Sequence, residues 1–383
     1  MVPNLSFISA PMVNQSDLPF RVLTRRYGAT LAYTQMLLPE KLICDQEYLE
    51  FHRRDLTTRI DGLESPVVVQ LCGNDAETIV QAGKKLQDCC DGIDLNLGCP
   101  QEAARDGHFG AYLLGQKDWP LVEGIVSAMS SSFTVPVSTK IRLCQPQHKT
   151  LEFAERLEAS GSSWITLHAR TVSARRRRQG AADLSEVKRL KDSDKLHVPV
   201  ISNGNVRVYT DLTQNLEYTG ADGLMVGETL LGNPCIFSNT VPDPVTISLE
   251  YLDLCRTYTD TASVPSVKTH VRHIVDFQRS RRPWYTKFRS ALGDCTTLEE
   301  IEYLLCRKVE RWRGRSPRKS FQNDDEDDRG DSRGRVGTER SPSERNSDLD
   351  GDSSSRLTRA DGLGNILDVD DLHLDLDLSL DGP

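Results

Sequence analysis

The sequence lacks the patterns that would place the chain in a membrane or outside the cell. No apolar run approaches the ~20 residues of a membrane-spanning helix, and no signal peptide precedes the first strand pattern. The ten cysteines do not form the framework of a secreted domain, because several lie inside apolar strand or helix patterns. We therefore expect reduced thiols, no membrane contact, and a location in the cytoplasm, the nucleus or both.

Two common binding motifs are also missing. No paired CxxC or Cys/His spacing indicates zinc, so no metal is expected. No GxGxxG motif follows the first predicted strand, which makes a doubly wound dinucleotide-binding sheet the weaker alternative.

The sequence contains instead an alternation of strand and helix patterns. The predicted strands are 6–10, 31–36, 67–73, 92–98, 137–143, 164–170, 198–203 and 223–226. Segments between them, such as 76–89, 121–131, 150–160 and 183–192, have the apolar spacing of helices. Eight such units predict an α/β fold, a closed (β/α)8 TIM barrel. Because the first strand starts so near Met1, we expect a short or absent plug at the barrel bottom.

A helical unit and a polar tail follow the eighth strand. Segments 247–259, 264–279, 284–292 and 298–312 predict four helices, the last with an N-cap and early acidic residues. The tail is rich in Ser, Asp, Arg and Gly and cannot bury a core. We predict a catalytic barrel over 1–243, a small all-α domain over 244–313 and a disordered acidic tail over 314–383, to which we assign no function.

The net charge of −9 is unevenly distributed. Residues 314–383 contain 10 Lys and Arg against 18 Asp and Glu, which leaves 37 basic and 38 acidic residues in the rest. Basic residues concentrate between Lys268 and Arg289, where Trp284 and Tyr285 interleave with them, and Arg175 to Arg178 form a second run. Such clusters are either solvated faces or nucleic-acid contacts. The role of the arginine run stays open.

Polar residues recur where the predicted strands end. They are Gln70, Asn96, Cys99, Lys140, Arg142, His168, Arg170, Asn203, Gly204, Asn205, Gly227 and Glu228. Since active sites of such barrels lie at the carboxyl ends of the strands, these residues should line one pocket. For Cys99 alone, a buried structural thiol is the alternative.

The ends of strands seven and eight are the usual phosphate site of a TIM barrel. Asn203-Gly204-Asn205 and Gly227-Glu228 have the required flexibility, although Glu228 supplies an acid where a cation is more usual. Gln70 and Lys140 could hydrogen-bond a planar heterocycle. This combination suggests flavin mononucleotide (FMN) with its phosphate at strands seven and eight.

Five motifs resemble the tRNA-dihydrouridine synthases in order and spacing. They are Ala10-Pro11-Met12, Asp94-Leu95-Asn96-Leu97-Gly98-Cys99-Pro100-Gln101, Lys140-Ile141-Arg142, Thr166-Leu167-His168-Ala169-Arg170 and Asn203-Gly204-Asn205. Details such as Met12-Val13-Asn14-Gln15-Ser16 are similar to the eukaryotic branch that acts on positions 16 and 17 of the tRNA D-loop. The resemblance covers residues 6–312, including the helical unit.

This resemblance implies an enzyme that reduces uridine to 5,6-dihydrouridine in tRNA. It implies FMN, reduced by NADPH or NADH, as the source of hydride for C6 of uracil, and Cys99 as the proton donor to C5. The implied cofactor-binding residues are Pro11, Met12, Val13, Gln70, Lys140, His168, Asn203, Gly204, Asn205, Gly227 and Glu228. The implied substrate-binding residues are Asn96, Arg142, Arg170, Lys268, Arg272 and Arg282. We expect a monomer.

Two alternatives belong to other classes of function. One is a non-catalytic flavin- or RNA-binding protein that keeps the barrel. The other is a flavin enzyme that reduces a free pyrimidine and is related to the dihydroorotate dehydrogenases. The basic helical unit argues against the second, because a small substrate needs no such surface.

Overall fold

Eight parallel strands close into one barrel in chain order. The computed structural model describes residues 2–173 and 180–318. Strands β1 to β8 are Phe7–Ser9, Leu31–Leu37, Val67–Leu71, Gly92–Leu97, Val137–Arg142, Ile165–His168, Val200–Asn203 and Gly223–Val226. Each strand pairs in parallel with the next, and β8 pairs with β1. The predicted (β/α)8 barrel is confirmed.

Side chains alternate between the barrel interior and the surrounding helices, as strand geometry requires. On β3, Val67, Val69 and Leu71 pack in the outer core, whereas Val68 packs inside the barrel. The interior cluster is apolar, with Leu5, Ile8, Ala10, Leu31, Tyr33, Val68, Trp164, Ile201 and Met225. Leu5 lies beside Gly223, where a Cβ atom would come within 1.7 Å of the Leu5 carbonyl oxygen. The chain just before β1 therefore fills the amino-terminal end of the barrel.

Helices connect the strands on the outside. Helices α1 to α10 are Leu18–Arg26, Pro39–Cys44, Gln46–Thr57, Ala76–Lys84, Glu102–Asp106, Trp119–Ser132, Lys149–Ala159, Leu184–Lys191, Thr210–Thr219 and Glu228–Gly232. The four connecting helices that the spacing predicted are present as α4, α6, α7 and α8. Aspartates cap several of them, because an N-cap carboxylate satisfies the first free N–H groups: Asp75 accepts from the Thr78 N–H, for example.

The helical unit begins directly after the barrel. Helices α11 to α14 are Pro244–Thr257, Val264–Arg279, Tyr285–Asp294 and Leu298–Tyr303, and a π-helical segment, Leu304–Val309, continues into α15, Glu310–Trp312. Thr297 and Glu300 form a complete capping box at the predicted start of the fourth helix. The four predicted helices are thus confirmed, with a π-helical segment that was not predicted.

One apolar core joins the helical unit to the barrel. Residues of α1, α11 and α12 belong to a single buried cluster. At its edge, Asp17 accepts hydrogen bonds from Tyr251 Oη (3.2 Å), and its carboxylate lies 2.9 Å from His270 Nε2. The position of the domain boundary, 243/244, stays a prediction.

The first residues of the predicted tail pack on the helical unit. Arg315 Nη1 lies 2.9 Å from Asp243 Oδ2, and Arg318 Nε donates to Glu310 Oε1 at 2.8 Å. Arg175 to Arg178 and the tail from residue 319 lie outside the described residues. In the part of the chain that is described, no helix is long and apolar enough to cross a membrane.

Candidate active site

The turn after β4 presents Cys99 at the carboxyl end of the barrel. The main-chain N–H groups of Gly98 and Cys99 both donate to Asn96 Oδ1, at 3.1 and 2.9 Å. Arg142, at the end of the neighbouring strand, donates from Nε to the Gly98 carbonyl (2.8 Å) and from Nη1 to the Thr171 carbonyl (2.9 Å). Two side chains from β4 and β5 therefore fix the backbone that carries the thiol.

A row of buried hydrogen bonds supports Asn96 from below. Asn96 Nδ2 donates to Gln70 Oε1 (2.8 Å), and Gln70 Nε2 donates to Asp94 Oδ2 (2.9 Å). The other carboxylate oxygen of Asp94 accepts from Ser138 Oγ at 2.6 Å. Gln70, Asp94 and Ser138 are register partners on β3, β4 and β5. In the predicted cofactor residue Gln70, one amide hydrogen and one oxygen lone pair are therefore already used in hydrogen bonds to Asp94 and Asn96.

The chain after Cys99 folds back against it. Gly110 has φ +63°, and a Cβ atom there would lie 2.9 Å from the Cys99 carbonyl oxygen. That carbonyl accepts from the Ala111 N–H (3.0 Å), and Tyr112 Oη donates to the Pro100 carbonyl (3.1 Å). This close approach requires a glycine at position 110, and it holds the thiol half-buried.

Burial raises the pKa of the Cys99 thiol above its ordinary value, while a main-chain hydrogen bond at Gln101 and the charges of Arg142 and Lys140 oppose the increase. The thiol therefore stays protonated at neutral pH. A protonated thiol can donate a proton, and the nearby cations can stabilise the thiolate that remains.

Lys140 and His168 point into the same region of the barrel top. No described residue accepts a hydrogen bond from Lys140 Nζ or pairs with the His168 ring. Burial lowers the pKa of Lys140 to about 8, helped by Arg142 and opposed by Asp94. Burial also lowers the pKa of His168 well below 6.5, with further repulsion from Lys140, Arg142 and Arg170. Lys140 and His168 are thus polar groups held ready for a ligand.

The turn after β1 forms another wall. Pro11, Met12 and Val13 are half-buried, and Ser16 Oγ accepts from the Met12 N–H (2.9 Å) and donates to the Ala10 carbonyl (3.2 Å). Across from this turn, a Cβ atom on Gly227 would lie 3.4 Å from Ala10 Cβ. Glu228 is the first residue of α10.

The turn after β7 offers backbone groups rather than side chains. Asn203 Nδ2 donates to the Met225 carbonyl (2.8 Å), and both ends of the Asn205 amide bond the main chain of Ala182, at 2.8 and 2.7 Å. The main-chain N–H groups of Gly204 and Asn205 donate to no described residue. Gly204 has φ +134° and Asn205 φ +55°. Consecutive main-chain N–H groups without a protein acceptor are groups with which a turn can bind an anion.

The three predicted tRNA-binding residues of the helical unit differ in their surroundings. Lys268 Nζ donates to the carbonyls of Gly293 (2.5 Å) and Cys295 (2.8 Å) and so caps the end of α13. Arg272 is half-buried one turn further along α12. Only Arg282 of the three lines the groove described next. Their contact with tRNA stays a prediction.

An open groove of about 1060 Å³ lies on the helical unit. It is lined by Arg279, Arg282, Pro283, Trp284, Thr286, Lys287, Ser290, Trp312, Arg313 and Arg315. Trp284 and Trp312 stack at 6.5 Å between ring centroids, and Lys287 Nζ lies 5.7 Å from the Trp312 ring. We call this the basic groove. The basic cluster predicted from the sequence included Arg279, Arg282, Trp284 and Lys287, but Trp312, Arg313 and Arg315 were missed.

The basic groove has a strong excess of positive charge. Burial lowers the pKa of Arg279, and Arg313, Arg282 and Arg315 lower it further, while Asp243 raises it. Asp243 and Glu310 both pair with Arg313. Mutual repulsion of this kind makes the binding of anionic groups favourable. Basic side chains next to the half-buried rings of Trp284 and Trp312 suit the phosphates and bases of a nucleic-acid strand.

We expect Lys140→Met to stabilise the protein freed of bound small molecules. The charged form of Lys140 is disfavoured in the folded state, so removing it should raise the free energy of unfolding by about 1–2 kcal/mol at about pH 7, after allowance for partial solvent screening. Because the folded-state pKa is lowered from 10.5 to about 8, the unfolded state binds more protons between these values. Wild-type stability should therefore rise with pH across this window, and the advantage of the variant should vanish above it.

Urea unfolding followed by circular dichroism across this pH window measures the effect. Lys84→Met removes an exposed lysine and should change stability by less than about 0.5 kcal/mol. A stability difference between Lys140→Met and wild type that does not depend on pH would contradict the electrostatic origin.

The site brings together a protonated thiol, a lysine with no hydrogen-bond partner among the described residues, and a turn whose main-chain N–H groups donate to no described residue. A protonated thiol in such surroundings can act as a general acid. In the described ranges, no group of three or more His, Cys, Asp or Glu side chains could hold a metal ion.

A family model described as dihydrouridine synthase (Dus) matches residues 8–310. The chain is 34% identical over 318 residues to tRNA-dihydrouridine(16/17) synthase (NAD(P)(+)) of Saccharomyces cerevisiae, covering 79% of this chain and 73% of the relative. It is 35% identical over 295 residues to a like-named mouse protein, covering 77% and 59%, and 32% identical over 305 residues to that of Schizosaccharomyces pombe, covering 77% and 74%. The chain thus spans less than two thirds of the mouse relative's length.

Proposed function

The chain belongs to the dihydrouridine synthase family, and on this premise we propose that it reduces uridine to 5,6-dihydrouridine at positions 16 and 17 of the tRNA D-loop. The observation that carries the proposal is the position of Cys99. Its protonated thiol is held by Asn96 and Arg142 at the carboxyl end of a barrel, beside Lys140 and His168, which have no described partner.

The residues at the barrel top fit FMN. Lys140 and His168 supply polar groups with no described partner, Gln70 has one amide hydrogen left, and the turn at Gly204 and Asn205 offers main-chain N–H groups for a phosphate. When bound, FMN reduced by NADPH or NADH would supply the hydride that adds to C6 of uracil. The half-buried walls formed by Pro11, Met12 and Val13 would keep water from this region.

Cys99 completes the reduction by protonating C5. Addition of hydride at C6 leaves negative charge on C5 and the adjacent carbonyl, and the Cys99 S–H bond breaks as the C5–H bond forms. The resulting thiolate lies in the field of Arg142 and Lys140 and is reprotonated from solvent. Arg170, at the same barrel end as Arg142, would contact the uracil carbonyls. Asn96, which fixes the turn, would act through Cys99 as well as on the base.

RNA binding follows from where the site lies. A uridine inside folded tRNA must leave its stack to reach the site at the carboxyl end of the barrel, so affinity has to come from a surface outside the pocket. The basic groove supplies such a surface, and Arg282 belongs to it. A free pyrimidine would need no such groove.

A direct assay tests the proposal. The purified protein is incubated with NADPH or NADH and an unmodified tRNA transcript, and mass spectrometry of nuclease fragments locates any gain of two hydrogen atoms. A transcript with cytidine at positions 16 and 17 is the matched control. Reduction should appear only in the first transcript. If the protein reduces free uracil or interconverts dihydroorotate and orotate, and forms no product in tRNA, the assignment is contradicted.

A further inference from the structure

Asp94 is a fully buried carboxylate that the proposed chemistry does not use. It lies inside the barrel, between β3 and β5, and its oxygens accept from Ser138 Oγ (2.6 Å) and Gln70 Nε2 (2.9 Å). Burial raises the pKa of Asp94 to about 6 against the effect of these two hydrogen bonds and of Lys140. Both carboxylate oxygens face donors, the Ser138 hydroxyl and the Gln70 NH₂ group, and the charge of Lys140 favours the ionised form, so Asp94 acts here as a hydrogen-bond acceptor.

The hydrogen bonds that start at Asp94 can run in only one direction. A carboxylate forces the NH₂ group of Gln70 to face it, so that the Gln70 oxygen faces Asn96. That oxygen in turn requires the NH₂ group of Asn96, which leaves Asn96 Oδ1 for the N–H groups of the turn. Amide side chains are otherwise free to turn over, since their two ends have nearly the same shape.

We propose that Asp94 is a positioning residue for Cys99, acting through the direction of the Gln70 and Asn96 amides. Among the described residues, hydrogen bonds connect the carboxylate to the Cys99 turn through these two side chains. It matters because it selects the one amide arrangement in which every donor in the row meets an acceptor. Its effect on catalysis rests on the proposed function, whereas its effect on the Cys99 turn does not.

A second role for Asp94 would be its negative charge, which favours the charged form of Lys140. The two roles predict different behaviour for asparagine. In Asp94→Asn, the side-chain oxygen can still accept from Gln70 while the NH₂ group donates to Ser138, so the amide direction survives although the charge is lost. In Asp94→Ala, the acceptor for the Gln70 NH₂ group is lost, and the Gln70 amide is held only by its hydrogen bond from Asn96.

We expect Asp94→Ala to lower kcat for dihydrouridine formation about tenfold, with KM for tRNA within about twofold of wild type, since a small displacement of a reacting group is costly. Asp94→Asn should retain at least about one third of kcat by the same reasoning. Reduction of the flavin by NADPH does not need the thiol, so it should be slowed less than dihydrouridine formation in Asp94→Ala, although Gln70 and Lys140, which we assign to the cofactor, both interact with Asp94. Equal losses in the two variants would overturn the proposal in favour of the charge.

Alkylation of the thiols gives a readout without substrate or turnover. The apoprotein is treated with iodoacetamide, and the peptides containing Cys99 and the exposed Cys44 are quantified by mass spectrometry over time. Cys99 should react several times faster in Asp94→Ala than in wild type or Asp94→Asn, because its turn is less well held, while Cys44 should react equally in all three. An unchanged Cys99 rate in Asp94→Ala would overturn the proposal even if no dihydrouridine activity were found.

A reversed pair covers the case in which Asp94→Ala does not fold. Gln70→Glu places a second carboxylate opposite that of Asp94 and leaves the two without a donor between them. Combining Gln70→Glu with Asp94→Asn restores a donor facing an acceptor, and the carboxylate introduced on β3 can still accept from Asn96. The double variant should therefore show a Cys99 alkylation rate nearer to wild type than Gln70→Glu alone. If the double variant is no better than the single one, the direction of the amides is not what Asp94 controls.

Discussion

Cys99→Ala is expected to lower the rate of dihydrouridine formation by about 10²- to 10⁴-fold, the usual contribution of a positioned proton donor. The variant should keep its flavin and its ability to oxidise NADPH, because Lys140, His168 and the β7 turn, which we assign to the cofactor, are untouched. Alanine also leaves the main-chain N–H that donates to Asn96 Oδ1, so the turn should keep its shape. Dihydrouridine is measured by mass spectrometry of the tRNA transcript, and flavin content by absorbance.

Two further cysteine variants make this test specific. Cys72→Ala removes a buried thiol whose pKa is raised in part by its electrostatic interaction with Cys99. Cys44→Ala removes an exposed thiol. Both should form dihydrouridine at a rate within about threefold of wild type, as expected for groups that donate no proton. A Cys99→Ala protein that turns over like these controls would show that another group protonates C5.

The pH dependence adds a second criterion. Since burial raises the pKa of Cys99, its proton should remain available as pH rises through the ordinary range of a cysteine. Single-turnover oxidation of the reduced enzyme by tRNA should therefore decline only above that range in wild type. In Cys99→Ala this decline should be absent from the small remaining rate. A wild-type rate that already falls near neutral pH would contradict a protonated donor with a raised pKa.

The fold was predictable because its signals are local. The β4 pattern from Gly92 to Leu97 and the spacing in α7 reflect burial on a known face, and each is read within a dozen residues. The helices between β2 and β3 were missed, because α2 and α3 follow directly on one another, with Asp45 ending one helix and capping the other. The π-helical segment was missed for another reason: no residue type marks it in the sequence.

The site was predictable only as a set of positions. The predicted strand ends indicated which residues lie together at the barrel top, since the carboxyl ends of parallel strands meet there. They did not indicate which of these side chains already hydrogen-bond to other protein groups. Arg142 bonds a carbonyl 29 residues away in the chain, and Gln70 bonds Asp94 24 residues away. Such partners depend on rotamers and on strand register. The sequence therefore did not identify Asp94 as the acceptor at the start of the hydrogen bonds through Gln70 and Asn96.

The basic groove could be predicted only in part, because it is formed by helices that are separate in the sequence. The sequence placed basic residues along α12 and after it, but Lys268 is used as a helix cap. Trp312, Arg313 and Arg315 reach the same groove from the end of the last helix, which packs beside α13. Only the tertiary packing of these helices brings the two groups together, and the apolar core of the helical unit determines that packing.

Reversing the charge of the basic groove should weaken tRNA binding strongly. Arg282→Glu with Lys287→Glu exchanges two exposed cations for anions, and we expect Kd for tRNA to rise about 30- to 100-fold at about 0.1 M salt. These positions are chosen because Arg313 and Arg315 also pair with Asp243, so that changes there would mix binding with folding. Filter binding at several salt concentrations measures the change. The slope of log K against log salt should become shallower by the amount that the loss of about two phosphate contacts predicts.

A matched pair of variants separates the groove from net charge. Lys84→Glu with Lys195→Glu makes the same charge change at exposed positions that precede strands rather than follow them, on the side of the barrel away from the site. If long-range charge alone held tRNA, both double variants would weaken binding alike. If the groove holds it, the control should stay within about threefold of wild type. Because Arg282 and Lys287 lie outside the barrel pocket, the groove variant should lower kcat/KM for tRNA while kcat at saturating tRNA changes little. A loss of kcat with unchanged affinity would place these residues in the reaction instead of in binding.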